Sequence, residues 1–293
     1  MSRTLWDNFI NRHITGPKAL MTMVESLAAR VGGMESAEMI SDPALWGANL
    51  AKTGRLLDMD GLVMGFDPDI CQQAYRSDQP PLAQKELTVF LEAFERFGQT
   101  EKNYFGCVAN MSGPLSLAAS LAQEGADISD VKQKTVEIAE AFCKSRPDIL
   151  MFREGAALGQ SPVGMPQRKT YNTLKNMAAY YSVPLGIFLE NYNPEYMTGL
   201  AKLKIPFVFF GADQQGSLPP LEALIELEQD LDGIGVPLDF TKPDEARAQA
   251  ETYVAALPGV NFMFTNLQEL NRDTDLEATL ALVSELRRIG NEL

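Results

Sequence analysis

One histidine, three cysteines and two tryptophans are all that 293 residues supply of those types. Cys71, Cys107 and Cys143 stand far apart with no CxxC pair and His13 is alone, so a zinc centre has no recognisable ligand spacing. The same scatter excludes a disulfide framework and fits buried thiols in a reducing compartment. Cys107 and Cys143 fall within an expected strand and an expected helix, where a small buried hydrophobe is the expected role. His13 has no orienting partner in the sequence, which predicts a structural role. There is no GxSxG and no Ser/Cys–His triad arrangement, which argues against nucleophilic hydrolysis. GxGxxG and GxxxxGK[ST] are also missing, so the nucleotide-binding turns lack support.

Positive charge is short as well. Lys and Arg number 25 against 39 Asp and Glu, a net charge of −14 without a basic cluster, and such a field repels the phosphates on which nucleic-acid affinity depends. No stretch reaches the roughly 18 apolar residues of a membrane span. The segment MSRTLWDNFINRHITG carries charges throughout and no continuous apolar run, which predicts no secretory signal and a cytoplasmic chain without a membrane partner. An oxygen-only metal site from Asp67, Glu190 and Asp213 has no supporting motif, so neither a metal nor a cofactor is expected.

What is present is an ordinary globular composition, 45% hydrophobic and 22% charged, in a single expected domain. Residues 1–57 read as helices. Leu20, Met23, Val24, Leu27, Ala28 and Val31 recur at three- and four-residue spacing and Gly32 and Gly33 then stop the helix, while a second helix follows Asp42 and Pro43 to near Leu57. From about residue 58 the texture changes. Short apolar runs at 61–66, 104–109, 148–152, 184–189, 206–210, 235–240 and 261–265 alternate with helical segments such as 83–97, 130–145, 166–182 and 242–256. The runs are almost wholly apolar rather than alternating, as strands buried on both faces require. Seven or eight such units favour an α/β fold closed into a TIM-type (β/α)8 barrel over residues 58–293, preceded by a helical extension. The segment QSPVGMPQ at 160–167 reads as one of its loops.

In such a barrel the chemistry sits where strands end. Those positions carry Asp67 and Asp69, then Asn110, Ser112 and Gly113, then Arg153 and Glu154, Glu190 and Asn191, Asp213 to Gln215, Thr241, and finally Asn266 and Gln268. Asp67 or Asp69 either caps the helix that starts near Ile70 or faces the mouth. Glu190 is expected to face the mouth, although helix entry would also account for it. Arg153 and Glu154 are adjacent and so point to opposite sides of their strand.

GLVMGFD at 61–67, MSGPLSLAASLA at 111–122, DILMFREGAALGQSP at 148–162 and PLGIFLENYNPEYMTGLAKL at 184–203 resemble successive blocks of the uroporphyrinogen decarboxylase superfamily. The C-terminal run VNFMFTNLQELNRDTDLEATLALVSELRRIG resembles that family's last strand and helix. The superfamily joins decarboxylases and corrinoid-linked methyltransferases on one barrel. The resemblance implies that Asp67 is the aspartate that contacts substrate pyrrole NH groups, that the GPLSLA turn offers backbone amides to the cavity, and that Arg153 and Glu154 are pocket positions. Two departures stand out. Nothing in residues 1–57 matches the decarboxylases' Met-Arg-Gln-Ala-Gly-Arg segment, leaving Arg76, Arg153 or Arg168 as candidates to hold a carboxylate. The methyltransferases' His-x-Cys zinc ligands are replaced by Phe188, Leu189 and Glu190, with Asn266 or Gln268 near the last ligand position.

The leading expectation is a metal-free decarboxylase-like enzyme for a tetrapyrrole or another small carboxylated substrate. Asp67 would be the catalytic residue, with substrate contacts from Arg76, Asn110, Arg153, Glu154, Glu190, Asn191, Asp213 and Asn266. The alternative is a methyltransferase component working with a corrinoid protein, in which Glu190 and Asn191 hold the methyl donor. A third reading is a non-catalytic ligand-binding barrel. Family members often pair across one barrel face, so the resemblance also implies a homodimer.

Overall fold

The computed structural model describes residues 2–65, 69–76, 79–121 and 128–289. Eight parallel strands close in sequence order into one (β/α)8 barrel: β1 (Leu20–Met23), β2 (Gly61–Met64), β3 (Gly106–Ser112), β4 (Ile149–Glu154), β5 (Leu185–Leu189), β6 (Phe207–Phe210), β7 (Gly233–Leu238) and β8 (Phe262–Asn266). The ring shuts where Leu20 pairs with Phe264 and Met21 with Thr265. Every strand from β2 to β8 falls on one of the seven apolar runs, because a strand packed inside and out leaves no polar position to break the run.

The expected helical extension is corrected at β1. Residues 20–23 are a strand, all four buried, and the helix begins only at Glu25. The three- and four-residue apolar spacing arose because a short two-sided strand runs straight into the helix α2 (Glu25–Gly32), so its apolar residues add to the helix's own. The boundary at residue 57 therefore divides nothing, since the first barrel strand precedes it. The remaining signals hold locally. Gly33 ends α2 in the left-handed conformation, φ 74°, as its lack of a Cβ permits. Asp42 caps the helix Pro43–Leu56, accepting from the amides of Ala44 (2.7 Å) and Leu45 (3.1 Å).

The helix α1 (Ser2–Ile10) stoppers the amino-terminal end of the barrel. Trp6 is fully buried against Gly61 and Gly106, the first residues of β2 and β3, where an added Cβ would come within 2.4 and 1.9 Å of its ring. Phe9 packs on Phe207, ring centroids 5.3 Å apart. Arg3 anchors the helix through Asp148 at 2.9 Å, and Asn261 donates to the Phe9 carbonyl at 2.8 Å. Among the described residues that end is closed, and the barrel's cavity lies where the strands finish. Among the described residues no helix is long and apolar enough to cross a membrane.

Candidate functional site

Alternation along the strands fixes which side chains face the barrel axis. Val108, Ile149, Met151 and Phe188 belong to the interior apolar cluster, which puts Asn110 and Ser112, Arg153 and Glu190 on the same inner face near the carboxyl ends of β3, β4 and β5. Arg153 and Glu190 form a two-pronged ion pair, Nε to Oε1 at 2.9 Å and Nη2 to Oε2 at 3.2 Å. Their side chains are 24% and 29% exposed, so water reaches the pair without immersing it. They line a cavity of about 200 Å3 together with Gln72, Ser112, Ser116 and Gly155.

Glu154, one residue on from Arg153, points away from the axis and is fully buried. Its Oε1 accepts from the Leu115 amide (3.1 Å) and the Tyr171 hydroxyl (2.6 Å), and its Oε2 from the amide (2.8 Å) and hydroxyl (2.6 Å) of Ser116. Burial pushes its carboxyl up while these four donors pull the other way, and burial with the Glu154 charge drives Tyr171 well above the ordinary phenol range. This corrects two expectations. Glu154 is no substrate contact, because its oxygens are committed. The amides that open the helix α3 (Pro114–Leu121) are not offered to the cavity, because the Glu154 carboxylate already occupies that positive end. Gly113 is what allows it so close, since a Cβ there would lie 2.2 Å from the carboxyl carbon. The effect on the cavity is indirect: Ser116 Oγ bridges Glu154 to the Gly155 amide at 2.8 Å, and Ser116 and Gly155 are both in the wall.

Other predicted contacts are spent on the backbone. Asn266 is fully buried and stitches β8 to β1, accepting from the Met23 amide at 3.0 Å and donating to the carbonyls of Met23 (3.0 Å) and Gln268 (2.7 Å). Asp213 accepts from the amides of Gln215 and Ser217, both at 2.8 Å, and so shapes its own loop. Asn191 is exposed in a left-handed conformation, φ 53°, with its carbonyl accepting from Gln160 at 2.6 Å. Arg76 is exposed on the helix Asp69–Arg76, and Arg168 is exposed on the helix Met165–Tyr180. His13 lies at the opposite, stoppered end, 3.1 Å from Asn8. Asp67 lies outside the described residues. Of the predicted set, the structure thus brings together Arg153 and Glu190, while Asn110 lies deeper on the same inner face, in register with Met151 and donating to the Gly65 carbonyl at 2.9 Å. Ser116 was legible only as part of the GPLSLA turn, and Gln72 and Tyr171 gave no signal, being ordinary positions in amphipathic helices.

A zinc ion of the kind carried by the resembling methyltransferases does not fit these residues. Phe188, at the first ligand position, is packed in the barrel interior at 1% exposure. Among the described residues no three or more His, Cys, Asp or Glu side chains come within reach of one ion.

No protein-family model matches the chain, and no curated protein matches it. Solved structures do. A methyltransferase from Methanosarcina mazei superposes with a TM-score of 0.74 at 13% identity, covering 98% of both chains. The homocysteine methyltransferase MmuM from Escherichia coli superposes with a TM-score of 0.51 at 12% identity, over 92% of this chain and 95% of its own. At such identities the likeness is one of fold.

Proposed function

We propose that this barrel is a methyltransferase that holds a small methylated molecule at the mouth between β3, β4 and β5 and exchanges the methyl group with a corrinoid-bearing partner protein. The observation that carries the reading is the Arg153–Glu190 pair, a cation and an anion held 2.9 Å apart in a cavity of about 200 Å3 at the carboxyl ends of three adjacent strands. The end-to-end likeness to a methyltransferase barrel supports it. The described lining is smaller than the roughly 300–1,000 Å3 of drug-sized sites, which suits a small molecule.

The corrinoid, held by the partner, supplies the atom that gives or takes the methyl group. This chain contributes position. Arg153 grips an anionic group in a fixed orientation, and Glu190 both steers the guanidinium and balances positive charge on a methylated nitrogen or sulfur. Part of that charge is still on the donor atom as the methyl departs, so Glu190 favours the bound donor and the transition state together and acts chiefly by lowering the donor concentration required. The rate gain comes from aligning the methyl with its acceptor.

The decarboxylase reading depends on Asp67, which lies outside the described residues, and the Glu190 carboxylate beside Arg153 disfavours a substrate that carries several carboxylates. One experiment separates the readings. The purified chain is incubated anaerobically with methylated amines, sulfides and amino acids plus free reduced corrinoid, and with uroporphyrinogen in parallel. Loss of the reduced corrinoid's absorbance with release of demethylated product is the expected result. Carbon dioxide release from uroporphyrinogen would instead establish the carboxy-lyase, and neither reaction, with a ligand retained through purification, would leave a binding barrel.

A further inference from the structure

Behind the wall of the cavity lies a carboxylate that the positioning of the donor leaves unused. Glu154 has four hydrogen-bond donors, and they differ in what they can do with a proton. The amides of Leu115 and Ser116 keep theirs in the peptide group, and the Tyr171 hydroxyl, 2.6 Å away, is as fully buried as Glu154 itself. The fourth is the Ser116 hydroxyl, 2.6 Å from Oε2, and Ser116 lines the cavity whereas Leu115 and Tyr171 do not. The charged neighbours on the strands, Arg153 and Glu190, turn to the barrel axis, and Tyr171 is the titratable side chain that contacts Glu154 among the described residues. Among those residues, the hydrogen-bonded path between the cavity and the buried carboxylate therefore runs through Ser116 Oγ. The Gly155 amide, donating from 2.8 Å, holds that oxygen in place.

We propose that Ser116 is the proton-exchanging group of the site, relaying a proton between the bound molecule and Glu154 as the methyl group moves. The need for a relay rests on the methyltransferase reading, while the path itself rests on the hydrogen bonds. A demethylated group X–H must lose its proton before its lone pair can accept a methyl from the corrinoid, and X–CH3 must gain one as the methyl leaves. In the first direction the X–H proton passes to Ser116 Oγ while the Ser116 hydroxyl proton crosses to Glu154 Oε2. The O–H bond broken at Ser116 is replaced by the one formed there, the new O–H on Glu154 balances the lost X–H, and the electron pair of the broken methyl bond stays with the corrinoid. The reverse transfer returns the proton by the same route. Burial already disfavours the charge on Glu154, so the carboxylate is a ready acceptor, and the Ser116 amide stays bonded because a protonated oxygen still accepts. A sulfonium or a quaternary ammonium leaves a neutral molecule on losing its methyl and makes no use of the relay.

The test is methyl transfer to free reduced corrinoid by the full chain from two matched donors: dimethyl sulfide, whose product takes up a proton, and trimethylsulfonium, whose product needs none. Ser116→Ala and Glu154→Gln are each expected to lower the ratio of the first rate to the second about 100-fold, and Ser116→Thr, which keeps the hydroxyl, to retain it. Residues that only shape the wall would slow both donors alike, so an unchanged ratio overturns the relay. Transfer from trimethylsulfonium alone in the unchanged chain overturns it as well. If Ser116→Ala does not fold, Glu154→Gln decides the ratio. Proton uptake by Glu154 is also read without turnover, from the infrared band of a protonated carboxyl that appears after a drop in pH and is missing in Glu154→Gln. The band is expected to appear more slowly in Ser116→Ala than in the unchanged chain. An equal rate, or no band before the chain unfolds, overturns the relay whichever donor reacts. Slowed uptake with no transfer from either donor removes the methyltransferase reading and keeps the relay.

Discussion

Replacing Glu154 with glutamine changes almost no volume, yet the hydrogen bonds around it make the change costly. Oε1 and Oε2 each accept one backbone amide and one hydroxyl. The glutamine nitrogen must stand in for one of the two oxygens. The hydroxyl on that side can rotate and accept, but the amide cannot, so either Leu115 or Ser116 is left with its N–H facing another donor. A buried donor stranded in this way costs about 1–3 kcal/mol. The surviving bonds also lose their charge assistance. Against this, a neutral side chain no longer suffers the desolvation that pushes the Glu154 carboxyl up. The net loss is about 2 kcal/mol, or a fall in Tm of about 3 °C for a chain of this size. Glu154→Ala strands all the donors and opens a void, at about 3–5 kcal/mol. Thermal unfolding followed by circular dichroism reads both variants. A glutamine variant that melts within about 1 °C of the unchanged chain would refute the account of Glu154 as the fixed anion at the start of α3.

Two further outcomes follow from the stoppered end of the barrel. Trp6→Ala empties the space beside Gly61 and Gly106 and should cost about 3–5 kcal/mol, seen as a lower urea midpoint; an unchanged midpoint would mean that α1 does not close the barrel. Asp60, at the start of β2, is pushed up from 3.8 to about 6 by burial, against the pull of Arg287 at 2.6 Å and the Leu20 amide at 2.8 Å. Between those two values the folded chain holds a proton that the unfolded chain has released, so this contribution to stability is full below pH 3.8 and is lost as pH rises through about 6. At roughly 1.4 kcal/mol per unit the span is worth about 3 kcal/mol. Asp60→Asn should flatten the fall in urea midpoint across that window, and an identical slope in both chains would contradict the assignment.

The barrel was legible because its strands are buried on both faces and so appear as unbroken apolar runs. The exception, β1, was hidden by the helix that follows it without a loop, so that strand and helix residues together imitated one helical face. At the mouth, strand parity told that Arg153 and Glu154 face opposite ways but not which way each turns. The interior position of Met151 settles it for Arg153, and the α3 amides settle it for Glu154. Asn266 and Asp213 illustrate a further limit. A polar residue at a strand end looks the same in sequence whether it serves a ligand or binds its own backbone, and only the hydrogen-bond partners tell them apart. The resemblance to the uroporphyrinogen decarboxylase superfamily pointed to the right architecture. Its residue-by-residue implications fared unevenly, since Glu154 and the α3 amides satisfy each other rather than a substrate.

The central claim is that the small molecule is held at the mouth, by Arg153 and Glu190. Methyl transfer to reduced corrinoid, measured side by side for Glu190→Gln and for Lys175→Ala, tests it most directly. Lys175 lines a groove with Asp232 at the opposite, amino-terminal end of the barrel and serves as the control. Loss of a charged contact at the mouth predicts a transfer rate about 10- to 100-fold lower at limiting donor for Glu190→Gln, and an unchanged rate for Lys175→Ala. Full activity in Glu190→Gln, or a loss of similar size in Lys175→Ala, would contradict the claim.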